Sequence, residues 1–407
     1  MGKNINSQKI EDALKKLRFR YQGLTLYNAG VPRFERPFTR DTVISALLSN
    51  DPQMLSGILK FAALKQGTKK DTVSGEEQGK IFHEFDIKQN NAGQVRGRPG
   101  HTKLYNACDT TALFLLGHNK YLELTDDLIF SKTQFSNIAL ACDYILRHLN
   151  KQNEFAEDPT FSDAREYALK VTYWKDSVVV DRKEGEPVFP VVYPLAHIQN
   201  LAGLRAGAEL LNSDYLLQKA QDMKNALLGL FDKDINNFPV AVDSKGKISA
   251  VSSDGLDALF YLRPGDLDDS FIGQIIESSK ILETKLGYRS LEEEACKRLD
   301  NQYHGRVVWT HEQALVHAGA TKHLRWALEN KNIRLAGLLN RVREVSFRIY
   351  KYLEANPGSF PEIFDIKEGK IIPSGCNPQL WAIAAKKYFM DYSAYRQEKE
   401  TVANFLN

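Results

Sequence analysis

The feature that most limits the fold of this 407-residue chain is an apolar periodicity typical of α-helices, which recurs along most of its length. Residues 41–65 predict a helical hairpin, because the periodicity is interrupted at Asn50-Asp51-Pro52. Further helices are predicted at 135–149, 193–211, 214–231, 254–262, 268–286, 312–329, 332–355 and 378–395. With the helix that follows Asp109 and some short ones, we expect about ten to thirteen helices.

Strand patterns are few and short. Three short stretches have patterns that suit strands or hairpin arms, at residues 178–180, 188–192 and 238–242. None of them is long enough for a central sheet. No Gly-rich nucleotide loop follows a strand, and no fixed period indicates a solenoid. The chain is therefore predicted to form a single all-α domain over residues 1–407, with its strands confined to loops.

Polar clusters stand where several of these helices are expected to begin. One closes a Gly- and Arg-rich loop at Asp109, just before the apolar run 112–116, and the others lie at 40–41, 309–312 and 376–379. A simple helix cap is the alternative explanation for a carboxylate such as Asp109. If six helical hairpins close into a ring, their inner helices open on one concave face and bring these clusters together. We therefore predict an (α/α)6 toroid.

The composition limits the partners and cofactors that the chain can be expected to use. The 54 basic and 51 acidic residues give a net charge of +3, which predicts no strong attraction to nucleic acid or membranes. The four cysteines lack metal-ligand spacing, so we expect a reducing, cytoplasmic setting with no metal site and no cofactor. No secretion signal or membrane-spanning run is predicted from the sequence, and the oligomeric state stays open.

Three of the four tryptophans, Trp174, Trp309 and Trp381, lie within the segments YWKDS, GRVVWTHE and GCNPQLW, which also carry polar side chains. A sugar ring packs its C–H groups on an aromatic face, while its hydroxyl groups need charged or amide partners. These tryptophans therefore suit a carbohydrate pocket, and the alternative is an ordinary position in the hydrophobic core.

Seven elements, in the same order along the chain, resemble those of amylo-α-1,6-glucosidases of the glycogen-debranching type and related six-hairpin glycosidases. They are FTRDT from Phe38, GKIFHE from Gly79, YNACDTTALF from Tyr105, YWKDS from Tyr173, the helix 190–211, GRVVWTHE from Gly305, and FPEIFD from Phe360 followed by GCNPQLW from Gly375. Each element alone is weakly specific. The ordered set, which covers nearly the whole chain, is fairly specific for toroid glycosidases.

The resemblance implies hydrolysis of a glycosidic bond with inversion, by one carboxylic acid and one carboxylate on opposite sides of the anomeric carbon. The acid matches Asp109 in debranching enzymes and neutral invertases, and Asp176 in trehalase-like and glucosidase-I-like relatives. We favour Asp109 as the acid, with Asp176 as the alternative acid or a sugar-binding carboxylate. The base matches Glu362 in all of these groups.

The resemblance also implies a set of substrate-binding side chains, each of which has a structural role in the cap, loop or core as its alternative. They are Arg40, Asp41, His83, Glu84, Trp174, Gln199, Trp309, His311, Glu312, Gln379 and Trp381.

The chain departs from these relatives at three places. Phe38 replaces a tryptophan, His311-Glu312 replaces His-Asp, and Lys175 stands where a small or acidic residue is more common. The expected substrate is an α-glucosidic oligosaccharide or a glucan end, and a short oligosaccharide or disaccharide suits the chain at least as well as a polymer. A sugar epimerase or isomerase, which needs two facing histidines, and a non-catalytic sugar-binding protein remain alternatives on the same toroid.

Overall fold

The computed structural model describes residues 2–71, 73–87, 102–157, 172–176, 188–299 and 302–406, and within these ranges the side chains of residues 5–395. These residues are mostly helical. Their α-helices are α1 (Gly2–Leu17), α2 (Thr39–Ser49), α3 (Pro52–Leu64), α4 (Thr110–Thr125), α5 (Leu128–Lys132), α6 (Phe135–Arg147), α7 (Pro194–Leu211), α8 (Asp214–Leu230), α9 (Asp254–Tyr261), α10 (Asp269–Ser278), α11 (Glu293–Cys296), α12 (Thr310–Glu329), α13 (Ile333–Ala355) and α14 (Leu380–Leu406).

The helices predicted from periodicity are confirmed, most of them with small shifts at their ends, whereas the helix predicted at 378–395 extends further, as α14, to Leu406. The hairpin 41–65 becomes α2 and α3, because Asn50 takes a left-handed conformation (φ 50°) and the Asp51 side chain accepts a hydrogen bond from Met54 N at 2.9 Å. The predicted helix 268–286 ends earlier, as α10, and continues as a 3-10 turn over Ser279–Leu282. The sequence analysis did not predict α1, α5 or α11.

Six helices form a closed inner ring. Around it, α2 packs on α4, α4 on α7, α7 on α9, α9 on α12 and α12 on α14, and α14 returns to pack on α2. Such helices are surrounded by protein, which explains why α7 is buried on all sides over most of its length. At Gly203 of α7, an added Cβ would lie 2.7 Å from Ala112 Cα of α4, so the close approach of these two helices requires glycine.

The outer layer consists of α1, α3, α6, α8, α10 and α13, each packed against one or more inner helices. These helices bury one face only. In α8 the buried residues Leu216, Ala220, Met223 and Leu227 recur every three or four positions, as expected of an amphipathic helix. The inner ring and outer layer together form the predicted (α/α)6 toroid.

Strands are confined to the connections. They are β1 (Arg18–Tyr21), β2 (Leu24–Tyr27), β3 (Glu84–Phe85), β4 (Lys103–Leu104), β5 (Ala241–Asp243), β6 (Gly246–Ile248), β7 (Val308–Trp309), β8 (Ile363–Lys367) and β9 (Lys370–Ser374). They form four small antiparallel sheets. Three sheets have two strands each, β1–β2, β3–β4 and β5–β6, and the fourth has the order β7–β8–β9.

The three strand predictions have different outcomes. The prediction for 238–242 is confirmed only at its end, where β5 begins at Ala241. The prediction for 188–192 is wrong, because Val191 and Val192 make single bridges to Glu157 and Val242 instead of a continuous ladder. Residues 178–180 lie outside the described residues.

The connections bring the beginnings of several inner helices to one end of the ring. A bridge between Phe38 and Glu84 joins the start of α2 to β3, and a bridge between Gly30 and Gln379 joins the N-terminal region to the start of α14. The pairing of Trp309 with Ile363 places the start of α12 beside Glu362. Over the described residues, no helix is both long and apolar enough to cross a membrane.

Candidate active site

A cavity of about 240 Å³ opens at this end of the ring. Nine of the fourteen predicted site residues line it: Arg40, Asp41, His83, Glu84, Trp174, Asp176, Trp309, Glu362 and Trp381. The remaining lining residues are Phe34, Arg36, Phe38, Leu104, Tyr303 and His304. Three larger grooves, of about 490, 580 and 760 Å³, lie elsewhere on the molecule and are lined by none of the predicted residues.

Glu362 is held firmly in the cavity wall. Its side chain is almost fully buried and accepts a hydrogen bond from the Tyr303 hydroxyl at 2.7 Å and one from Cys376 N at 2.9 Å. Burial raises the pKa of Glu362, and these two hydrogen bonds oppose that shift without cancelling it. Gly375 permits this packing, because its φ is 78° and an added Cβ would lie 2.4 Å from Glu362 Oε2.

Gln379 links Glu362 to Asp41, although it does not itself line the cavity. Its Nε2 donates to Asp41 Oδ1 and to Glu362 Oε1, both at 3.3 Å. Burial raises the pKa of Asp41 to about 8, with the charges of Glu362 and Asp109 adding to the rise and Arg40 opposing it. At neutral pH the Asp41 side chain is therefore mostly protonated, and it can both donate and accept hydrogen bonds.

Asp176 is the exposed carboxylate of the cavity. Its side chain is 38% exposed, and its Oδ1 lies 3.5 Å from His304 Nδ1. Burial lowers the pKa of His304 well below its ordinary value, and the positive charges of Lys175 and Arg40 add to this effect. His304 is therefore neutral at physiological pH, so its contact with Asp176 is between a neutral imidazole and a carboxyl group.

Asp109 does not line the cavity. It is fully buried behind Arg40, whose Nε lies 2.7 Å from Asp109 Oδ2 and whose Nη2 lies 2.9 Å from Oδ1. This is a bidentate ion pair between buried groups, and it occupies both carboxylate oxygens. Asp109 precedes α4 but makes no side-chain capping hydrogen bond, so the cap explanation is wrong and the side chain anchors Arg40 instead.

The three tryptophans form one aromatic wall. The rings of Trp174 and Trp309 meet edge to face with centroids 5.5 Å apart, and Trp309 meets Trp381 in the same way at 5.6 Å. His311 stacks on Trp381 at 3.9 Å and lies outside the cavity lining. The three indole rings are largely buried yet line the cavity, so the core and pocket explanations both hold for them.

The opposite part of the cavity includes His83 and Glu84. Arg36 Nε donates to Glu84 Oε2 at 2.5 Å, and the His83 ring packs edge to face on Phe38 at 5.1 Å. Phe38, at the position where the relatives have tryptophan, thus keeps an aromatic surface in the cavity lining.

Two further predicted residues lie away from the cavity lining. Gln199 is buried in the second turn of α7. Glu312 is buried at the start of α12, with its Oε1 3.1 Å from Lys175 Nζ and accepting a hydrogen bond from Ser253 Oγ. Lys175 is buried as well, so its unusual place in the sequence element corresponds to an internal ion pair and not to a surface charge.

The sequence analysis did not predict Tyr303, His304 or Arg36. Tyr303 and His304 come just before the GRVVWTHE element, and Arg36 comes just before FTRDT. Their only sequence signal is this position next to a recognised element. Within the described residues, no group of three or more His, Cys, Asp or Glu side chains is placed to hold a metal ion.

Comparison with known proteins gives structural similarity only. No family model matches the sequence, and no curated protein does so either. The GH63 mannosylglycerate hydrolase from Thermus thermophilus, in complex with Tris, is similar with a TM-score of 0.66 and 12% identity, over 94% of this chain and 99% of that one. The same enzyme in complex with glucose gives a TM-score of 0.66 and 13% identity, over 95% and 99% of the two chains.

A second kind of enzyme is also similar. The GH78 family rhamnosidase of Bacillus sp. GL1 matches with a TM-score of 0.60 and 12% identity, over 96% of this chain and 35% of that chain. The chain has the fold of these toroid glycosidases. Its full length corresponds to nearly all of the Thermus enzyme and to about a third of the rhamnosidase.

Proposed function

We propose that the protein is an inverting glycoside hydrolase in which Asp176 is the general acid and Glu362 the general base. The observation that carries this proposal is that Asp176 and Glu362 line the same small cavity, together with three tryptophans. An inverting glycosidase needs two carboxyl groups facing one bound sugar, with room for a water molecule beside the base. The fold shared with glycosidases supports the proposal.

The geometry favours Asp176 over Asp109 as the acid. A general acid must reach the leaving oxygen within hydrogen-bonding distance, and Asp176 is the more accessible of the two candidates. Asp109 is buried behind Arg40, with both of its oxygens engaged by the guanidinium. We therefore assign Asp109 the role of holding Arg40 in the cavity wall.

Glu362 suits the role of base because its orientation is fixed. The Tyr303 hydroxyl, Cys376 N and Gln379 Nε2 all donate to its carboxylate, and such donors favour the ionised form that a base requires. The neighbouring Asp41 and Arg40, and the pair Arg36–Glu84 opposite, supply donors and acceptors for sugar hydroxyl groups.

The cavity size favours a terminal sugar of a short substrate. Its volume of about 240 Å³ lies below the roughly 300–1,000 Å³ of drug-sized ligand pockets, so one hexose ring fits better than several. We propose an α-glucosidic oligosaccharide or glucan end as the substrate class. The similar Thermus enzyme is a mannosylglycerate hydrolase, so an α-mannosyl substrate belongs in the same test.

The test is a panel of maltose, isomaltose, trehalose, sucrose, limit dextrin and mannosylglycerate, followed by proton NMR. Inversion predicts that the sugar whose anomeric carbon is attacked first appears as the β-anomer when its linkage is α, whatever anomers the leaving sugar has. Glu362→Gln should lower kcat on the order of 10²-fold or more, because it removes proton transfer but preserves shape. Initial release of the attacked sugar as the α-anomer, or full activity of Glu362→Gln, would refute the mechanism.

The same NMR experiment in D₂O tests the epimerase alternative. An epimerase or isomerase that moves a proton through solvent would place deuterium on a sugar carbon without cleaving a glycosidic bond. Binding of a sugar with neither reaction would instead indicate a non-catalytic sugar-binding protein.

A further inference from the structure

In the sequence, Lys175 stands between Trp174, which belongs to the aromatic wall of the cavity, and Asp176, the proposed general acid. Its side chain is fully buried, and its Nζ lies 2.8 Å from Asp254 Oδ1 and 3.1 Å from Glu312 Oε1. It also donates to Ser253 Oγ at 2.6 Å. The ammonium group therefore joins the segment 172–176 to the first turns of two inner helices, α9 and α12.

The direction of the three side chains explains why this contact matters. Trp174 and Asp176 both line the cavity, whereas Lys175 points away from it into the protein. The three residues are consecutive in the chain, so fixing Lys175 restricts the positions of both neighbours, and its Nζ also lies 4.8 Å from the centroid of the Trp174 ring.

Other contacts of the segment are weaker. The Tyr173 hydroxyl donates to Asp254 Oδ2 at 3.4 Å, and Cys108 N donates to Thr172 O at 3.1 Å. Neither contact carries a charge on the segment itself. Within the described segment 172–176, it is Lys175 that forms ion pairs with both inner helices.

We propose that Lys175 is a positioning residue, whose ion pairs with Asp254 and Glu312 hold Asp176 where it can protonate the leaving oxygen. This inference rests on the proposed function. A catalytic group must lie within about 2.6–3.2 Å of the atom that it protonates, and a misplacement of about 1 Å can lower the rate by about 10²-fold. Losing the ammonium would leave two buried carboxylates facing each other and push the segment away from α9 and α12.

The test uses the dependence of the rate on the leaving group. Fluoride leaves without needing a proton from the enzyme, whereas a sugar alkoxide does need one. Lys175→Met should therefore lower kcat for maltose by about 10²-fold, as Asp176→Asn does, and keep most of its activity toward α-glucosyl fluoride. If the panel identifies mannose instead, mannosylglycerate and α-mannosyl fluoride replace these two substrates.

Further variants separate positioning from general damage. Lys175→Arg keeps the charge and should retain more maltose activity than Lys175→Met. Lys175→Met/Glu312→Gln also removes one of the two buried carboxylates that would otherwise lose their ion-pair partner. This double variant replaces Lys175→Met in the test if the single variant does not fold. Lys322→Met is the matched control, because Lys322 donates to Phe260 O at 2.7 Å on the far part of α12 and should affect both substrates equally or not at all.

The outcomes distinguish this inference from the proposed function. Suppose that Asp176→Asn abolishes maltose hydrolysis. If Lys175→Met then lowers the activities on maltose and on α-glucosyl fluoride equally, or lowers neither of them, the positioning role is refuted and the assignment of Asp176 as the acid stands. If Asp176→Asn keeps full activity on maltose, the assignment of the acid fails.

A structural measurement decides the matter if no glycoside is hydrolysed. With 5-fluorotryptophan incorporated, the ¹⁹F signal of Trp174, assigned through Trp174→Phe, should broaden in Lys175→Met as the segment loses its fixed position. A change in chemical shift alone does not count, because the Lys175 Nζ lies 4.8 Å from the Trp174 ring centroid and its loss changes the local field. The linewidth of Trp326, which lies on α12 away from the segment, should not change. An unchanged Trp174 linewidth would overturn the positioning role.

Discussion

Replacing Asp109 by Asn tests whether this residue stabilises the protein or transfers a proton. Asp109 and Arg40 form a buried bidentate pair, and the neutral amide would leave the guanidinium without its closest counter-charge. Breaking a buried pair from one side typically costs about 3–5 kcal/mol.

This cost can be converted to a melting temperature. An unfolding entropy of about 2.1 cal mol⁻¹ K⁻¹ per residue gives about 0.85 kcal mol⁻¹ K⁻¹ for the 407 residues. Asp109→Asn should therefore lower the Tm by about 4–6 °C. Asp176→Asn should leave the Tm close to that of the parent protein, because the Asp176 side chain is 38% exposed.

The rates should show the opposite order. Measured at 25 °C on the folded protein, Asp176→Asn should lower kcat on the order of 10²-fold or more, and Asp109→Asn by much less. Asp266→Asn provides a matched control, since Arg205 also binds Asp266 through two hydrogen bonds, from Nη1 and Nη2 at 2.9 and 3.1 Å, away from the cavity. It should lower the Tm with no change in kcat.

One result would refute this reasoning. If Asp109→Asn melts like the parent protein and loses activity, while Asp176→Asn remains active, then Asp109 is the acid. The buried pair with Arg40 would in that case have to open when substrate binds, and the debranching-like assignment would replace the present one.

Three further predictions concern the pH profile, the aromatic wall and metal dependence. Because Glu362 must be ionised to act as a base, activity should fall as the pH drops through its pKa. Tyr303→Phe removes a hydrogen bond that lowers this pKa, so the acidic limb of the kcat/KM profile should move to higher pH. A shift of this limb to lower pH would contradict the assignment of Glu362 as the base. In a Trp326→Phe variant, Trp174, Trp309 and Trp381 are the three tryptophans that remain, and binding of the cognate sugar should change their fluorescence emission. An unchanged spectrum at saturating sugar would exclude direct contact between the sugar and the aromatic wall. Activity should survive exhaustive treatment with EDTA, because inversion needs only two carboxyl groups and a water molecule; loss of activity that one metal restores would count against this mechanism.

The fold could be predicted because its signals are local and repeated. Each outer helix buries one face, which gives a clear period, and inner helices such as α7 are long and apolar enough to be recognised despite their burial. The strand predicted at 188–192 failed for a different reason. Val191 and Val192 are buried and make single bridges to two different segments, and a short apolar run of this kind has the same appearance in the sequence as a paired strand.

The residues around the cavity could be predicted only as groups. Arg40-Asp41 was found as a polar cluster at a predicted helix start, and His83-Glu84, Trp174 and Asp176 were found in elements that resemble those of toroid glycosidases. All of these residues line the cavity. The sequence could not show which members of a group line the cavity and which support it from behind. Glu312 and Asp109 have the same sequence context as the lining residues, yet each is buried against a cation.

The structure explains this division for residues 174–176. Trp174 and Asp176 line the cavity, and Lys175 between them is buried in the protein. A lysine forced inward needs carboxylates, and the structure supplies Asp254 and Glu312. Asp109 lies in a different setting, because Cys108, Thr110 and Thr111 around it are all buried and no side of its backbone faces the cavity. The unusual lysine is therefore the sequence feature that, taken together with the tertiary structure, favours Asp176 as the acid.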